Sequence, residues 1–493
     1  MPNLETASSP LKLRRIAIDP VTRVEGHGKV TILLDEENRI HQVRLHIVEI
    51  RGFERFIQGR PYWEVPVIVE RLCGICPVSH HLAAAKAMDI VAGFGPLPPA
   101  AEKLRRLTHY GQMVQSHALH FFYLASPDLL LGFDSDLTRR NVIGVLKDHP
   151  ELAKQGVFTR KFGQEVIRLT TGKRIHGAGA IPGGVNKALT EEERDTLRKD
   201  AGQIVEWAAG SVRLIEKLHL SNPHFYNRFA ETDANMMGFV DERGAMDLYH
   251  GGLRAMDAEG KIIFDHAGYS GYEGLLQEDV KPWSYMKFPY IKSLGAEKGW
   301  YRVGPLARVQ ICDFIPTPLA EAERQKFKAA SEGRVAHGVL LYHWARLIEL
   351  LHAAELVRDL LEDPDILGSD LLADKGVRRG EGVGVIEAPR GTLIHHYRVD
   401  KDDLITFCNL IVSTTHNNQP MNEAIRSVAA QYLNGREITE GLLNHIEVAI
   451  RAYDPCLSCA THALGQMPLE VSLLNAEGTT ISRLRKNGDG SID

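Results

Sequence analysis

The sequence predicts an α+β chain, mainly helical, with a long-helix core and β elements near the N-terminus and in the C-terminal third. Three observations carry this. Helical spacing of apolar residues persists through long stretches such as Pro99–Leu131 and Gly338–Leu361. Strand-like patterning is concentrated at Leu11–Glu49 and Gly382–Thr415. No repeat, low-complexity tract or proline- or glycine-rich linker divides the chain.

Taken in order, Leu11–Asp19 alternates apolar and basic residues and reads as a strand. Gly28–Leu34 and His41–Glu49 flank the polar turn Asp35-Glu36-Glu37-Asn38-Arg39 and read as a hairpin. The period then changes. Trp63–Leu72 and His80–Val91 read as helices with a cysteine-bearing turn between them, and Pro99–Leu131 as one long helical stretch. Thr190 followed by Glu193 forms a capping box that opens a helix to about Leu218. Phe225–Gly304, rich in Gly, Asp and aromatics, reads as strands and loops. Helices resume at Pro318–Ser331 and Gly338–Leu361. Gly382–Thr415 returns to strand patterning around the turn Asp400-Lys401-Asp402-Asp403, and helices near Met421–Leu433 and Thr439–Tyr453 follow.

Composition narrows the function. The 493 residues are 44% hydrophobic and 25% charged, which excludes wholesale disorder, collagen and coiled coil. Lys+Arg 58 against Asp+Glu 63 leaves a net charge of −5, which argues against nucleic acid. No apolar run is long enough to span a membrane; the longest zone is interrupted by Arg346, Glu349, His352 and Glu355. Met1–Pro10 is polar, without the apolar core of a secretory signal, so a cytoplasmic location is expected. Six cysteines are sparse, which suits thiolates kept for metals rather than a disulfide scaffold.

Cys73-Gly74-Ile75-Cys76 and Cys456-Leu457-Ser458-Cys459 carry the strongest chemical signal. A Cys-x-x-Cys turn aims both sulfurs at one point, so two such turns supply four thiolates. Structural zinc sites usually draw their pairs from nearby segments, and a thioredoxin-like redox site needs only one motif. Spacing alone therefore favours a four-thiolate site for zinc or iron and does not indicate nickel.

The surroundings do. Arg71-Leu72-Cys73-Gly74-Ile75-Cys76-Pro77-Val78-Ser79-His80 and Asp454-Pro455-Cys456-Leu457-Ser458-Cys459-Ala460-Thr461-His462 resemble the two cysteine motifs of nickel–iron hydrogenase large subunits. The resemblance extends to Asp19–Gly28, to Arg51-Gly52-Phe53-Glu54 and to Glu387-Ala388-Pro389-Arg390-Gly391. These motifs stand in the family's order across nearly the whole chain. Within the family the chain looks most similar to the soluble, bidirectional NAD-reducing branch. A complex I-like relative that kept the fold and lost the cysteines, and a zinc-stabilised interaction protein, are the alternatives; retention of all four cysteines argues against the first.

The resemblance implies a hydrogenase catalytic subunit that splits H₂ reversibly at a nickel–iron centre carrying carbon monoxide and cyanide. By it, Cys73 and Cys456 are terminal nickel ligands, Cys76 and Cys459 bridge to iron, and Cys456 is the first base. His80, one turn after Cys76, would hydrogen-bond a bridging sulfur. Glu25 would start the proton's exit. Arg390, approached through Pro389, would sit over the metals and bind one cyanide, and Ser413 or Thr414 the other. Glu54 and His462 would help bind Mg²⁺. Cys312 and Cys408 match no motif and read as buried thiols.

Two segments depart from simple expectation. Where many respiratory relatives place an acidic residue, this chain reads Gln115-Ser116-His117, so a carboxylate to pair with Arg390 is missing unless Asp454 supplies it. Gly177–Gly184 imitates a dinucleotide fingerprint, but Pro182 occupies the third glycine position and no apolar strand precedes it. NAD, flavin and iron–sulfur clusters are thus expected on partners only: a small subunit with iron–sulfur clusters, and a NAD/flavin diaphorase. The resemblance also implies a single catalytic body over residues 1–462. The extension Ala463–Asp493 would hold Cys456 and Cys459 outside for a metal-loading chaperone and be removed by an endopeptidase.

Overall fold

The computed structural model describes residues 13–331, 333–461, 469–474 and 480–486. The N-terminal strand pattern forms an antiparallel sheet of β1 (Arg14–Ile18), β2 (Gly28–Leu34) and β3 (Ile40–Ile47). Alternation sets its buried face: Val30 pairs with Leu45 and Ile32 with Val43, and all four side chains are fully buried. Trp63–Leu72 is helical but not one helix. It divides into a 3₁₀ turn at Tyr62–Glu64, an α turn at Val65–Ile68 and another 3₁₀ turn at Val69–Leu72. Pro66, with no N–H to donate, starts the middle piece.

The helices α1 (Pro77–Ala92) and α2 (Pro99–Leu119) follow. The chain from α2 runs on through a π-helical turn at His120–Ala125 into Ser126–Leu131, as one helical stretch. A further long helix, α3 (Pro150–Thr171), packs along α2; the sequence pattern alone does not single it out. The capping box at Thr190 and Glu193 forms and opens α4 (Glu191–Ser221). The four-stranded sheet of β4 (Asn235–Val240), β5 (Gly252–Met256), β6 (Ile262–Ala267) and β7 (Tyr301–Arg302) lies mid-chain, in the order β7-β4-β5-β6. Phe225–Gly304 thus forms strands and loops, as its sequence indicates.

The core helix α5 (Leu341–Glu362) packs against α2 and α4. The last sheet is an antiparallel meander of β8 (Glu381–Ala388), β9 (Gly391–Val399) and β10 (Ile405–Ile411), around the expected turn. α1 lies on this sheet so closely that a Cβ at Gly384 would sit 2.0 Å from the Ala83 carbonyl oxygen. That contact explains the small residues Ala83, Ala84 and Ala87, and it fixes the cysteine turn before α1 against β9. Helices α6 (Asn418–Val428) and α7 (Glu440–Ala452) lead to the second cysteine turn. Beyond it the apolar stretch Leu469–Leu474 pairs with Thr480–Lys486 as a hairpin. Among the described residues no helix is long and apolar enough to cross a membrane.

Candidate metal centre

The two cysteine turns meet. Cys73, Cys76, Cys456 and Cys459 are buried, and their sulfurs all lie within 4.8 Å of one another. Cys73 Sγ is 3.2 Å from Cys456 Sγ, and Cys76 Sγ is 4.0 Å from Cys459 Sγ. The first turn is set by the extended backbone of Cys73 and by Pro77 at the start of α1; the amides of Ile75 and Cys76 both donate to Cys73 Sγ at 3.2 Å. The second turn is tied to the N-terminal loop, because Leu457 N donates to Glu25 O at 2.9 Å. Gly26 makes that approach possible. Its φ is +78°, and a Cβ there would lie 2.5 Å from Ser458 N.

Four buried sulfurs this close cannot all be anionic without a cation. Burial pushes the Cys456 and Cys459 thiols well above their ordinary value. The sulfurs of Cys456, Cys459 and Cys73, with His80, hold Cys76 well below it against burial. The donor set, four soft sulfurs from two facing turns, therefore fits a thiophilic metal. Cys312 and Cys408 are buried elsewhere, and burial raises both thiols.

Beside the sulfurs lies a small pocket, lined among others by Cys76, His80, Pro389, Arg390, Ser413 and Thr414. Arg390 is 3% exposed; its Nε donates to Asp454 O at 2.6 Å and its Nη2 to Asp454 Oδ1 at 3.1 Å. Burial opposes the guanidinium's charge, but Asp454 and the cysteine sulfurs more than offset this and hold its pKa well above normal. Its remaining nitrogen, Nη1, is buried with no partner. A fixed donor left over beside the sulfurs suits an anionic or polar metal-bound ligand. Asp454 thus provides the carboxylate that Gln115-Ser116-His117 lacks; burial pushes it up to about 6, against the pull of Arg390 and Arg346. Gln115 instead donates to Ile75 O at 2.6 Å, and His117 meets Glu349 at 2.8 Å. Glu349 in turn grips Arg308, which also holds Glu387.

The other candidates are placed as follows. Cys456 Sγ donates to Glu25 Oε2 at 2.9 Å, and the Ser458 hydroxyl donates to the other Glu25 oxygen. Ser458 carries no signal of its own in the sequence, although its place between the second pair of cysteines could have suggested it. Ser413 donates to Gly391 O at 2.7 Å, while Thr414 Oγ1 accepts Cys456 N at 2.9 Å. His80 faces the sulfurs, whereas His81 turns away, donating to Pro66 O at 2.8 Å and accepting Ala180 N at 2.9 Å. Glu54 is half-buried on the rim of β10, accepting Leu410 N at 2.9 Å; burial pushes its carboxyl up to about 7 despite Lys287. His462 lies outside the described residues. Its neighbour Thr461 is buried, and its carbonyl accepts Arg51 N at 2.9 Å, so the second turn ends against the segment that carries Glu54 three residues further on. Cys456 and Cys459 are both buried in the site, and Glu25 O and Thr414 Oγ1 accept the backbone amides of Leu457 and Cys456.

The glycine-rich loop does not form a strand–turn–helix. It follows α3 and makes a tight hairpin, Ala180–Ile181 with Gly184–Val185, beside the first cysteine turn. His176, just before it, meets Cys73 O at 3.0 Å.

Comparison with known proteins agrees with this geometry. The pattern described as nickel-dependent hydrogenase matches residues 51–131 and 240–462, and one described as HoxL-like matches residues 15–50. The chain is 49% identical over 484 residues to the beta subunit of the NAD-reducing hydrogenase HoxS of Cupriavidus necator, covering 95% of this chain and 99% of that one. It is 43% identical to a subunit of the F420-non-reducing hydrogenase vhc of Methanococcus voltae, covering 94% and 98%. A crystal structure of an NAD+-reducing [NiFe]-hydrogenase in the H₂-reduced state superposes with TM-score 0.89 at 58% identity, covering 91% of this chain and 99% of that one. The four converging cysteines and these matches place the chain in the nickel-dependent hydrogenase family.

Proposed function

We propose that this chain is the catalytic subunit of a cytoplasmic, NAD-linked hydrogenase, performing H₂ ⇌ 2H⁺ + 2e⁻. The observation that carries the reading is the buried cluster of four cysteine sulfurs with a carboxylate, Glu25, hydrogen-bonded to one of them. Cys73, Cys76, Cys456 and Cys459 would hold the nickel–iron pair, with Cys76 and Cys459 as the bridges. When bound, that pair with its carbon monoxide and cyanide ligands supplies the polarisation of H₂ and accepts its electrons. The protein's own groups handle the proton. Cys456 Sγ receives it, and Glu25 Oε2, at 2.9 Å, takes it onward while Ser458 holds the carboxylate in place. Arg390 would present its free Nη1 to a cyanide, and Ser413 or Thr414 would serve the other. Glu54 and His462 would hold Mg²⁺.

The electrons need partners. Cys312 and Cys408 cannot build an iron–sulfur cluster once the other four cysteines are committed. An iron–sulfur small subunit is therefore required, with a flavin and NAD module beyond it. Phe56, Trp63 and Val67, exposed on the turns leading to Cys73, support a partner covering that face. The relatives' names, that of a NAD-reducing hydrogenase among them, support the same assembly. The test is metal analysis with infrared spectroscopy of the purified complex. Nickel, iron and bands of metal-bound carbon monoxide and cyanide are expected; zinc alone would sink the reading.

A further inference from the structure

His80 is not the end of a contact but one link in a buried chain. Its Nδ1 lies 3.1 Å from His395 Nε2, and His395 Nδ1 lies 2.7 Å from the Tyr397 hydroxyl. At its other end His80 lines the same pocket as Cys76 and favours the thiolate there. His80, His395 and Tyr397 are at most 1% exposed, so no bulk water substitutes for a missing partner. His395 and Tyr397 stand two apart on β9 and share one face. His396 between them turns the other way, to Tyr272 and Glu381.

Each neutral imidazole has one donor and one acceptor nitrogen, so a chain of two must run in a single direction. In one direction Tyr397 O–H donates to His395 Nδ1, His395 Nε2–H to His80 Nδ1, and His80 Nε2–H to the sulfur. In the other, each donor becomes an acceptor and a bare imidazole lone pair faces the sulfur. A metal-bound thiolate accepts hydrogen bonds and repels that lone pair, so it selects the first direction. The Tyr397 hydroxyl, 2.7 Å from His395 Nδ1, supplies the proton that starts it.

We infer that Tyr397 and His395 are positioning residues: they lock His80 in the tautomer that donates to the Cys76 sulfur, and so tune the metal centre from two residues away. This rests on the four-cysteine site holding the metal pair proposed above. Removing the phenolic hydroxyl leaves His395 Nδ1 without this partner in a buried site and takes away the lock. The sulfur then loses part of its hydrogen bond and gives more electron density to the iron.

The experiment is infrared spectroscopy of the assembled holoenzyme carrying Tyr397→Phe, beside Tyr272→Phe, which breaks a comparable tyrosine–histidine bond on the opposite face of β9. Metal content and the presence of the bands report on the site itself; their positions report on the inference. Expected for Tyr397→Phe are normal nickel and iron, carbon monoxide and cyanide bands at lower wavenumber, and turnover reduced several-fold. Tyr272→Phe should leave the bands where they are. Unmoved bands in metal-loaded Tyr397→Phe, or an equal shift in Tyr272→Phe, would overturn the inference. If Tyr397→Phe does not assemble, histidine ¹⁵N spectra of the wild-type holoenzyme decide it. His80 and His395 should both carry their proton on Nε2 alone, and a proton on Nδ1 of either would refute the lock.

Discussion

At the scale of the residue, the site separates ligands from groups that only handle charge, and substitutions should separate them too. Cys73→Ser or Cys459→Ser removes one of four buried sulfurs that converge within 4.8 Å. A hydroxyl there is a harder, less acidic donor, so H₂ oxidation should vanish and bound nickel fall; wild-type activity with full nickel would remove these cysteines from the site. Glu25→Gln keeps the shape beside Cys456 and Ser458 but cannot carry a proton. H₂-driven electron output should drop by about 100-fold or more with metals retained, and a loss of only a few-fold would make Glu25 a structural residue. Arg390→Lys loses the planar fork that grips Asp454 through two nitrogens while a third is left for the metal-bound ligands. Turnover should fall by about 100-fold with the centre still assembled. Near-normal kinetics would mean that the guanidinium's free nitrogen has no task there.

At the scale of the element, what could be read from the sequence depended on how local the cause was. The capping box at Thr190 is a four-residue signal, and it forms where expected, with Glu193 N donating to Thr190 Oγ1 at 3.2 Å and Thr190 N to Glu193 Oε2 at 3.0 Å. Thr190→Ala should cost about 1 kcal/mol of local helix stability and speed amide exchange in the first turn of α4 about five-fold. Hydrogen-exchange mass spectrometry reads this directly; unchanged exchange there would mean that tertiary contacts, not the cap, hold the turn. The meander of β8, β9 and β10 was legible for the same reason, since alternation and the turn at Asp400–Asp403 are local. Trp63–Leu72 was only half legible: its apolar spacing is helical, but Pro66 and the exit into extended Cys73 break it into single turns. The four-cysteine site was visible as a motif. Its supports were not, because Asp454 under Arg390, Ser458 on Glu25 and His395 behind His80 are set by elements that meet only in the fold.

At the scale of the whole molecule, the remaining question is where the mature chain ends. The family pattern stops at His462, one residue beyond Thr461. Thr461 is buried, and its carbonyl is clamped by the amide of Arg51, three residues before Glu54. His462 therefore continues from a point fixed beside the segment that carries Glu54. While the chain runs on, residue 462 offers its imidazole and a peptide carbonyl. Hydrolysis after it would turn that carbonyl into a carboxylate, a charged oxygen donor of the kind that Mg²⁺ prefers, while burial already disfavours a lone charge on Glu54. Removal of Ala463–Asp493 would then complete the second cation site. Mass spectrometry of active, nickel-loaded enzyme should find a chain ending at His462. A full-length chain of 493 residues in fully active, nickel-loaded protein would show that the extension is retained and that Glu54 needs no new carboxylate beside it.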